Sequence, residues 1–172
     1  MTRSTLMHPA SRIRRAGLGG RELAGDGEPA IVLLHGLTFD HRMWDPVMDA
    51  LPVGVRAIAL DLPGHGGSRL PDAPGLAPAV SAIHAAVVDA GNDRPIVVGH
   101  SIGGPLATIY VGEHPAAAVI SVEAPIRLES FAAGMTAAAP HLRGPGFEDA
   151  WSRFRDSFGI DLVPADRRPL LA

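Results

Sequence analysis

Residues 97–104 read VVGHSIGG, and the interpretation of the chain starts from this stretch. Ser101 lies between Gly99 and Gly103 at G-x-S-x-G spacing, with the apolar run PIVV before it and the helix-like run PLATIYVGEH after it. A tight strand-to-helix turn of this kind strains the serine and exposes its hydroxyl above the sheet edge. Glycine is required on either side because side chains there would collide with neighbouring backbone. The spacing predicts that Ser101 is a nucleophile; the alternative is an ordinary serine in a strand–glycine–helix turn.

Four short runs of mostly branched apolar residues predict strands that are covered on both faces. They lie at 31–35, 55–60, 95–100 and 117–122. Helix-like segments at 43–51, 77–90 and 102–113 alternate with them, and residues 12–27 predict a preceding hairpin with turns near Gly19–Gly20 and at 25–27. Strands that alternate with helices indicate βαβ units. The predicted fold class is therefore α/β, with a mainly parallel sheet and helices on both faces.

After Pro125 the pattern changes to two helices without a strand between them, at 131–140 and 147–158, joined by the linker Gly144–Gly146. In the segment 77–90, one side at helical spacing carries apolar residues and a histidine: Val80, Ile83, His84, Val87 and Val88. The last helix carries an aromatic stripe: Phe147, Trp151, Phe154 and Phe158. Such a stripe indicates packing onto the domain below, or rings that face a substrate.

The composition excludes several classes of function. The chain has 172 residues, a net charge of -3 and scattered Lys and Arg, so it does not indicate a nucleic-acid partner or a membrane-binding basic helix. It has no cysteine, which excludes disulfides and thiolate chemistry. No secretory signal or membrane-length apolar run is present in the sequence. We therefore expect a cytoplasmic protein without a membrane partner.

Taken together, the ordered motifs resemble the α/β-hydrolase superfamily. They are LLHGLTFDHRMWDPVMDAL at 33–51, DLPGHGGS at 61–68, VVGHSIGG at 97–104 and VISVEAPI at 119–126. The resemblance implies an α/β-hydrolase fold in which residues 12–126 form the N-terminal part of the core. It also implies that residues 127–172 are a truncated, helical, cap-like segment.

The same resemblance implies a chemistry and its residues. Ser101 would attack a small-molecule carboxylic ester or related acyl substrate, and the backbone amides of Leu37 and Ile102 would form the oxyanion hole. His35 would support the loop that carries Leu37. No cofactor and no metal are implied. A serine at this position disfavours the branches that attack with aspartate, namely haloalkane dehalogenases and epoxide hydrolases.

Other polar residues of these motifs favour structural roles. His65 indicates a turn histidine that is satisfied by backbone groups, and Asp61 a carboxylate that fixes its loop by accepting from nearby amides. His100 should point away from the active side if Ser101 points toward it. None of the three is assigned a catalytic role.

A base and an acid for Ser101 are not evident. A serine hydroxyl needs both, and in this superfamily they follow the nucleophile in the order Asp or Glu, then His. Glu123 and His141 satisfy that order as weak stand-ins, whereas His114 should point away from the site. We expect the core to be C-terminally incomplete, weakly active or inactive alone, and prone to self-association through an exposed sheet edge.

Two functions therefore remain open. The first is a serine hydrolase whose usual acid and base are absent from this chain. The second is a non-catalytic module of α/β-hydrolase type that uses its pocket or its sheet edge to hold a ligand or a partner.

Overall fold

The structure is a computed structural model that describes residues 10–124, 128–138, 140–141 and 144–157. The chain divides into two compact units, Met1–Ala124 and Pro125–Ala172. Within the described ranges, the helices are too short or too polar to cross a membrane. The cytoplasmic location stays a prediction.

The first unit is built on one six-stranded sheet in the order β1-β2-β4-β3-β5-β6. Its strands are β1 (Ala10–Arg15), β2 (Leu18–Leu23), β3 (Ile31–Leu34), β4 (Ala57–Leu60), β5 (Ile96–His100) and β6 (Ala118–Val122). The strands β3, β4, β5 and β6 run parallel, and β1 and β2 are antiparallel additions at one side. The prediction of a mainly parallel sheet is confirmed.

Three helices of the first unit cover the two faces of this sheet. They are α1 (Asp45–Ala50), which a short 3-10 helix His41–Trp44 precedes, α2 (Leu76–Asp89) and α3 (Gly103–Glu113). Alternate residues of β3 point to opposite faces, so that Val32 packs in the cluster with α2 and α3 whereas Leu33 packs with Trp44 and Met48. Helices on both faces are therefore confirmed.

The buried side of α2 follows most of the predicted spacing. Val80, Ile83 and Val87 are buried, and His84 is half-buried. Val88 was expected on the same side but is 56% exposed. It lies one position past Val87, and a helix turns each successive residue by about 100°. The apolar stripe of this helix is therefore narrower than the sequence indicated.

The hairpin at the start of the chain is present, but its predicted turn was wrong. The turn lies at Ala16–Gly17, where both residues have positive φ, and not at Gly19–Gly20, which belong to β2. A Cβ at Gly20 would lie 2.2 Å from the carbonyl oxygen of Ala59. Gly20 thus allows β2 to approach β4 closely and does not serve to turn the chain.

The second unit contains α4 (Leu128–Ala138) and α5 (Phe147–Ser157). The expected plain linker Gly144–Gly146 forms a short 3-10 turn. In α5 the rings of Phe147 and Trp151 stack with centroids 6.0 Å apart. Of the remaining stripe, the side chain of Phe154 and all of Phe158 lie outside the described residues. The interpretation of 127–172 as a cap stays a prediction.

The strand β6 forms one edge of the sheet. Within the described part of the chain it pairs only with β5, and all five of its residues are exposed. Val119, Ile120 and Val122 are 41%, 50% and 41% exposed. The sheet therefore shows the exposed apolar edge that the sequence indicates.

Candidate active site

Ser101 lies in the turn between β5 and α3 with a φ of +52°. Its amide donates to the carbonyl of Val122 at 3.0 Å, and its carbonyl accepts from the amide of Gly104 at 2.9 Å. A non-glycine residue in this region costs on the order of 1–3 kcal/mol and persists only where the surroundings enforce it. Here the end of β6 and the first turn of α3 enforce it. The strained turn predicted from the sequence is present.

The glycines around Ser101 are required by close backbone approaches. A Cβ at Gly99 would lie 2.0 Å from the carbonyl oxygen of Gly103. A Cβ at Gly103 would lie 2.5 Å from the carbonyl oxygen of Leu34, at the end of β3. Neither contact is possible between real atoms, so the predicted requirement for both glycines is confirmed. The second contact also packs the start of α3 against the strand that leads to Leu37.

The loop after β3 emerges beside the turn that holds Ser101. The strands β3 and β5 are parallel neighbours with Leu34 opposite Gly99, so their carboxyl ends meet at the same edge. Within the described residues, neither the Leu37 amide nor the Ile102 amide donates a hydrogen bond. Two unpaired donors on adjacent loops suit a developing negative charge. The assignment of both amides to an oxyanion hole stays a prediction.

Two histidines hold the Leu37 loop in place. His35 is completely buried; its Nδ1 donates to the carbonyl of Gly36 at 2.7 Å, and its Nε2 accepts from the amide of Leu62 at 2.9 Å. Because Nε2 accepts, the ring is neutral, and burial lowers the pKa of His35 from 6.5 to about 4. The Nε2 of His65 donates to the carbonyl of Leu37 at 2.7 Å. Both structural expectations are confirmed, but the sequence did not indicate that His65 binds the carbonyl of Leu37, in the peptide that follows the candidate amide.

Asp61 fixes its loop as predicted. Its carboxylate accepts from the amides of His41 and Gly67, each at 2.8 Å, and from Nδ1 of His41 at 2.7 Å. Burial alone would raise the pKa of Asp61, but these hydrogen bonds outweigh it and lower the pKa. Among the described residues, three whose side chains are of types that can bind a metal ion lie close together: Asp40, His41 and Asp61. The bonds already made by Asp61 favour a structural role for this cluster.

His100 and Glu123 form a pair that the sequence analysis missed. The Nε2 of His100 lies 3.5 Å from a carboxylate oxygen of the exposed Glu123, and its ring meets that of Phe39 edge to face. The order of the predicted strands could have indicated this pair. Because β5 and β6 are parallel with His100 opposite Val122, Glu123 follows directly at the same edge of the sheet. Glu123 also has a positive φ, of +50°.

His114, the first histidine after Ser101 in the chain, lies away from it. His114 follows the C-terminal end of α3, whereas Ser101 precedes its first turn, and the His114 ring stacks on His84 at 3.7 Å. His141 lies in the second unit. Within the described residues no side chain is hydrogen-bonded to the Ser101 hydroxyl. A triad of Ser101, Glu123 and His141 stays a prediction.

Known proteins resemble this chain in sequence and in structure. A 2-succinyl-6-hydroxy-2,4-cyclohexadiene-1-carboxylate synthase from Salmonella paratyphi B is 36% identical over 81 residues, which are 47% of this chain and 32% of that protein. The chain therefore spans about a third of the length of the curated relatives that it matches.

Two solved structures share the architecture. An epoxide hydrolase from an endophytic Streptomyces superposes with a TM-score of 0.59 at 26% identity, over 71% of this chain and 39% of its own. An esterase from Exiguobacterium antarcticum superposes with a TM-score of 0.54 at 24% identity, over 66% of this chain and 45% of its own. At such identity the esterase shows the fold alone.

A family model extends the match across most of the chain. The model described as the alpha/beta hydrolase family covers residues 31–172, which include the loop after β3 and the turn of Ser101. The strand order, the strained serine turn and this match agree. The chain belongs to the alpha/beta hydrolase family.

Proposed function

We propose that this chain carries the nucleophilic half of a serine hydrolase that acts on a carboxylic ester or a similar acyl substrate. The observation that carries the proposal is the strained Ser101 at φ +52°, in a turn beside two amides that form no hydrogen bond with any described residue. Strain of this kind is expensive and is concentrated at functional sites. An ordinary serine in a turn would gain nothing from it.

The proposed reaction follows from the Ser101 hydroxyl and the two amides. The Ser101 hydroxyl attacks the substrate carbonyl carbon, and the amides of Leu37 and Ile102 stabilise the negative charge that develops on its oxygen. The proton of the hydroxyl must pass to a base, and none is bonded to Ser101 within the described residues. Loss of one donor from an oxyanion hole raises the activation free energy by roughly 3–4 kcal/mol. The positioning of Leu37 by His35 and His65 therefore matters for the rate.

The relatives support a hydrolase-type enzyme and do not favour one substrate over another. They include an esterase, an epoxide hydrolase and a synthase, so the fold serves several reactions. We infer an acyl substrate from the serine, because the resemblance links epoxide opening to an aspartate at this position.

A fluorophosphonate probe tests the proposal directly, since it phosphonylates activated serines. The full chain is labelled with and without added imidazole, which substitutes for an absent base. We expect imidazole to accelerate labelling at least tenfold, with the adduct at Ser101 by mass spectrometry. Ser101→Ala should abolish the labelling, and Ser81→Ala, which removes an exposed hydroxyl on α2, should leave it unchanged.

The second candidate is a non-catalytic binding module. One observation favours it: among the residues that the structure describes, none forms a hydrogen bond with the Ser101 hydroxyl. Labelling that stays absent with imidazole, or that persists in Ser101→Ala, would overturn the hydrolase proposal and leave the binding module. Ester turnover that survives Ser101→Ala would count in the same direction.

A further inference from the structure

A groove of about 570 Å³ lies on the first unit, away from Ser101. The β1–β2 turn, the loop after β4 and the start of α2 line it. The strands β2 and β4 lie on one side of β3 in the sheet, whereas Ser101 follows β5 on the other side. A groove of this size is in the range of small-molecule sites, which run from roughly 300 to 1,000 Å³. It is separate from the candidate active site.

Two arginines and no acidic residue are part of the lining. Arg14 is held in place, because its Nη1 donates to the carbonyl of Gly17 at 3.1 Å and its Nη2 to the carbonyl of Gly67 at 2.8 Å. Arg69 is exposed, and its guanidinium forms no hydrogen bond or ion pair within the described residues. The groove therefore presents one pre-positioned cation and one cation with all its donors available.

The rest of the lining is apolar and stiff. Leu18 is buried in the core, and three prolines, Pro63, Pro71 and Pro78, form the walls. Proline has few conformations to lose when a ligand binds, so walls of this type favour a shaped site. A guanidinium matches a carboxylate with two parallel hydrogen bonds, a geometry that lysine does not offer.

We propose that this groove binds a small amphipathic carboxylate, with its apolar body against the three prolines and its carboxylate on Arg69 and Arg14. Such a ligand matches both parts of the lining. The apolar walls suit a hydrocarbon body, and the two arginines, which form no ion pair with a described residue, suit an anion. The inference does not rest on the activity of Ser101.

The test uses the full chain and three probes: octanoate, octanol, which has the body without the charge, and acetate, which has the charge without the body. Binding is followed by amide chemical shifts in two-dimensional NMR. We expect octanoate to shift the amides at 16–18 and to bind at least tenfold more tightly than octanol or acetate.

Variants complete the test. Arg69→Gln should weaken octanoate binding about tenfold. It should leave the fold intact, because the Arg69 side chain forms no hydrogen bond or ion pair with the part of the chain that the structure describes. Arg94→Gln, an exposed arginine on the loop before β5, should bind octanoate as the wild type does. Equal affinity for octanoate and octanol, shifts confined to 118–122, or an Arg69→Gln variant that binds normally would each overturn the proposal.

Discussion

Ser101 keeps a left-handed backbone because two neighbouring glycines let the chain fold back on itself there. The carbonyl of Gly103 passes so close to Gly99 that only a hydrogen fits between them. The cost of the serine conformation, on the order of 1–3 kcal/mol, is met by the packing of α3 against β3 and by the bond from Ser101 to Val122. The conformation of the residue that we propose as the nucleophile thus depends on glycines that take no part in the proposed chemistry.

Replacing Gly99 by alanine should destabilise the fold strongly. The new Cβ would overlap the carbonyl of Gly103, and relief requires movement of the first turn of α3. We expect a loss of roughly 2–4 kcal/mol in the free energy of unfolding, measured by urea denaturation.

Gly112→Ala is the matched control, since no atom lies within 4 Å of a Cβ at that position in α3. Alanine there should stabilise the protein by about 0.5–1 kcal/mol through helix propensity. If the two variants unfold at the same urea concentration, the close approach at Gly99 does not constrain this turn.

At the scale of elements, the loops after β3 and β4 are joined through the neutral ring of His35. Its pKa of about 4 lies below its usual 6.5, so between these values the unfolded chain binds more protons than the folded one. The neutral His35 ring therefore makes its full contribution to the stability of the folded state above pH 6.5, and this contribution is lost as the pH falls toward 4.

We expect this histidine to remove about 2 kcal/mol of stability between pH 7 and pH 5. Urea denaturation of the wild type and of His35→Gln at both pH values measures the effect, because glutamine can accept from Leu62 without titrating in this range. His141→Gln, at an exposed position, should retain the wild-type pH dependence. An unchanged slope in His35→Gln would show that the ring is not the group responsible.

The strands and helices of the first unit were predictable because their apolar periodicity is strong. One exception is Gly20. Its residue type predicts a turn, whereas its role is set by Ala59 on the neighbouring strand β4, which is distant in the sequence. The same reason applies at the site. The strained serine turn could be predicted from five adjacent residues, but the bond from His65 to Leu37 and the pair of His100 with Glu123 join residues whose proximity only the sheet topology establishes.

For the whole molecule, the exposed strand β6 is the most consequential surface. It presents three exposed branched side chains on an edge that pairs on one side only within the described residues. Edges of this type promote association unless charges or prolines interrupt them, and β6 has neither. Self-association through this edge stays a prediction.

Sedimentation velocity should show concentration-dependent association of the full chain, and Ile120→Lys should suppress it at least fivefold in association constant. Val53→Lys introduces the same charge at a position 68% exposed, before β4 and outside the sheet, and should have no effect. A monomer at all concentrations, or equal suppression by both variants, would contradict association through β6.

The position of Ser101 one strand from this edge has a further consequence. Neighbouring strands are spaced about 4.8 Å apart, so any segment that added to β6 would run within roughly 10 Å of the hydroxyl. If that segment ran parallel to β6, the residue after it would emerge on the same rim as Ser101 and Glu123. If that residue were a histidine, addition of the strand would also bring a proton acceptor to this rim, and a peptide that docks there could be screened for both properties at once.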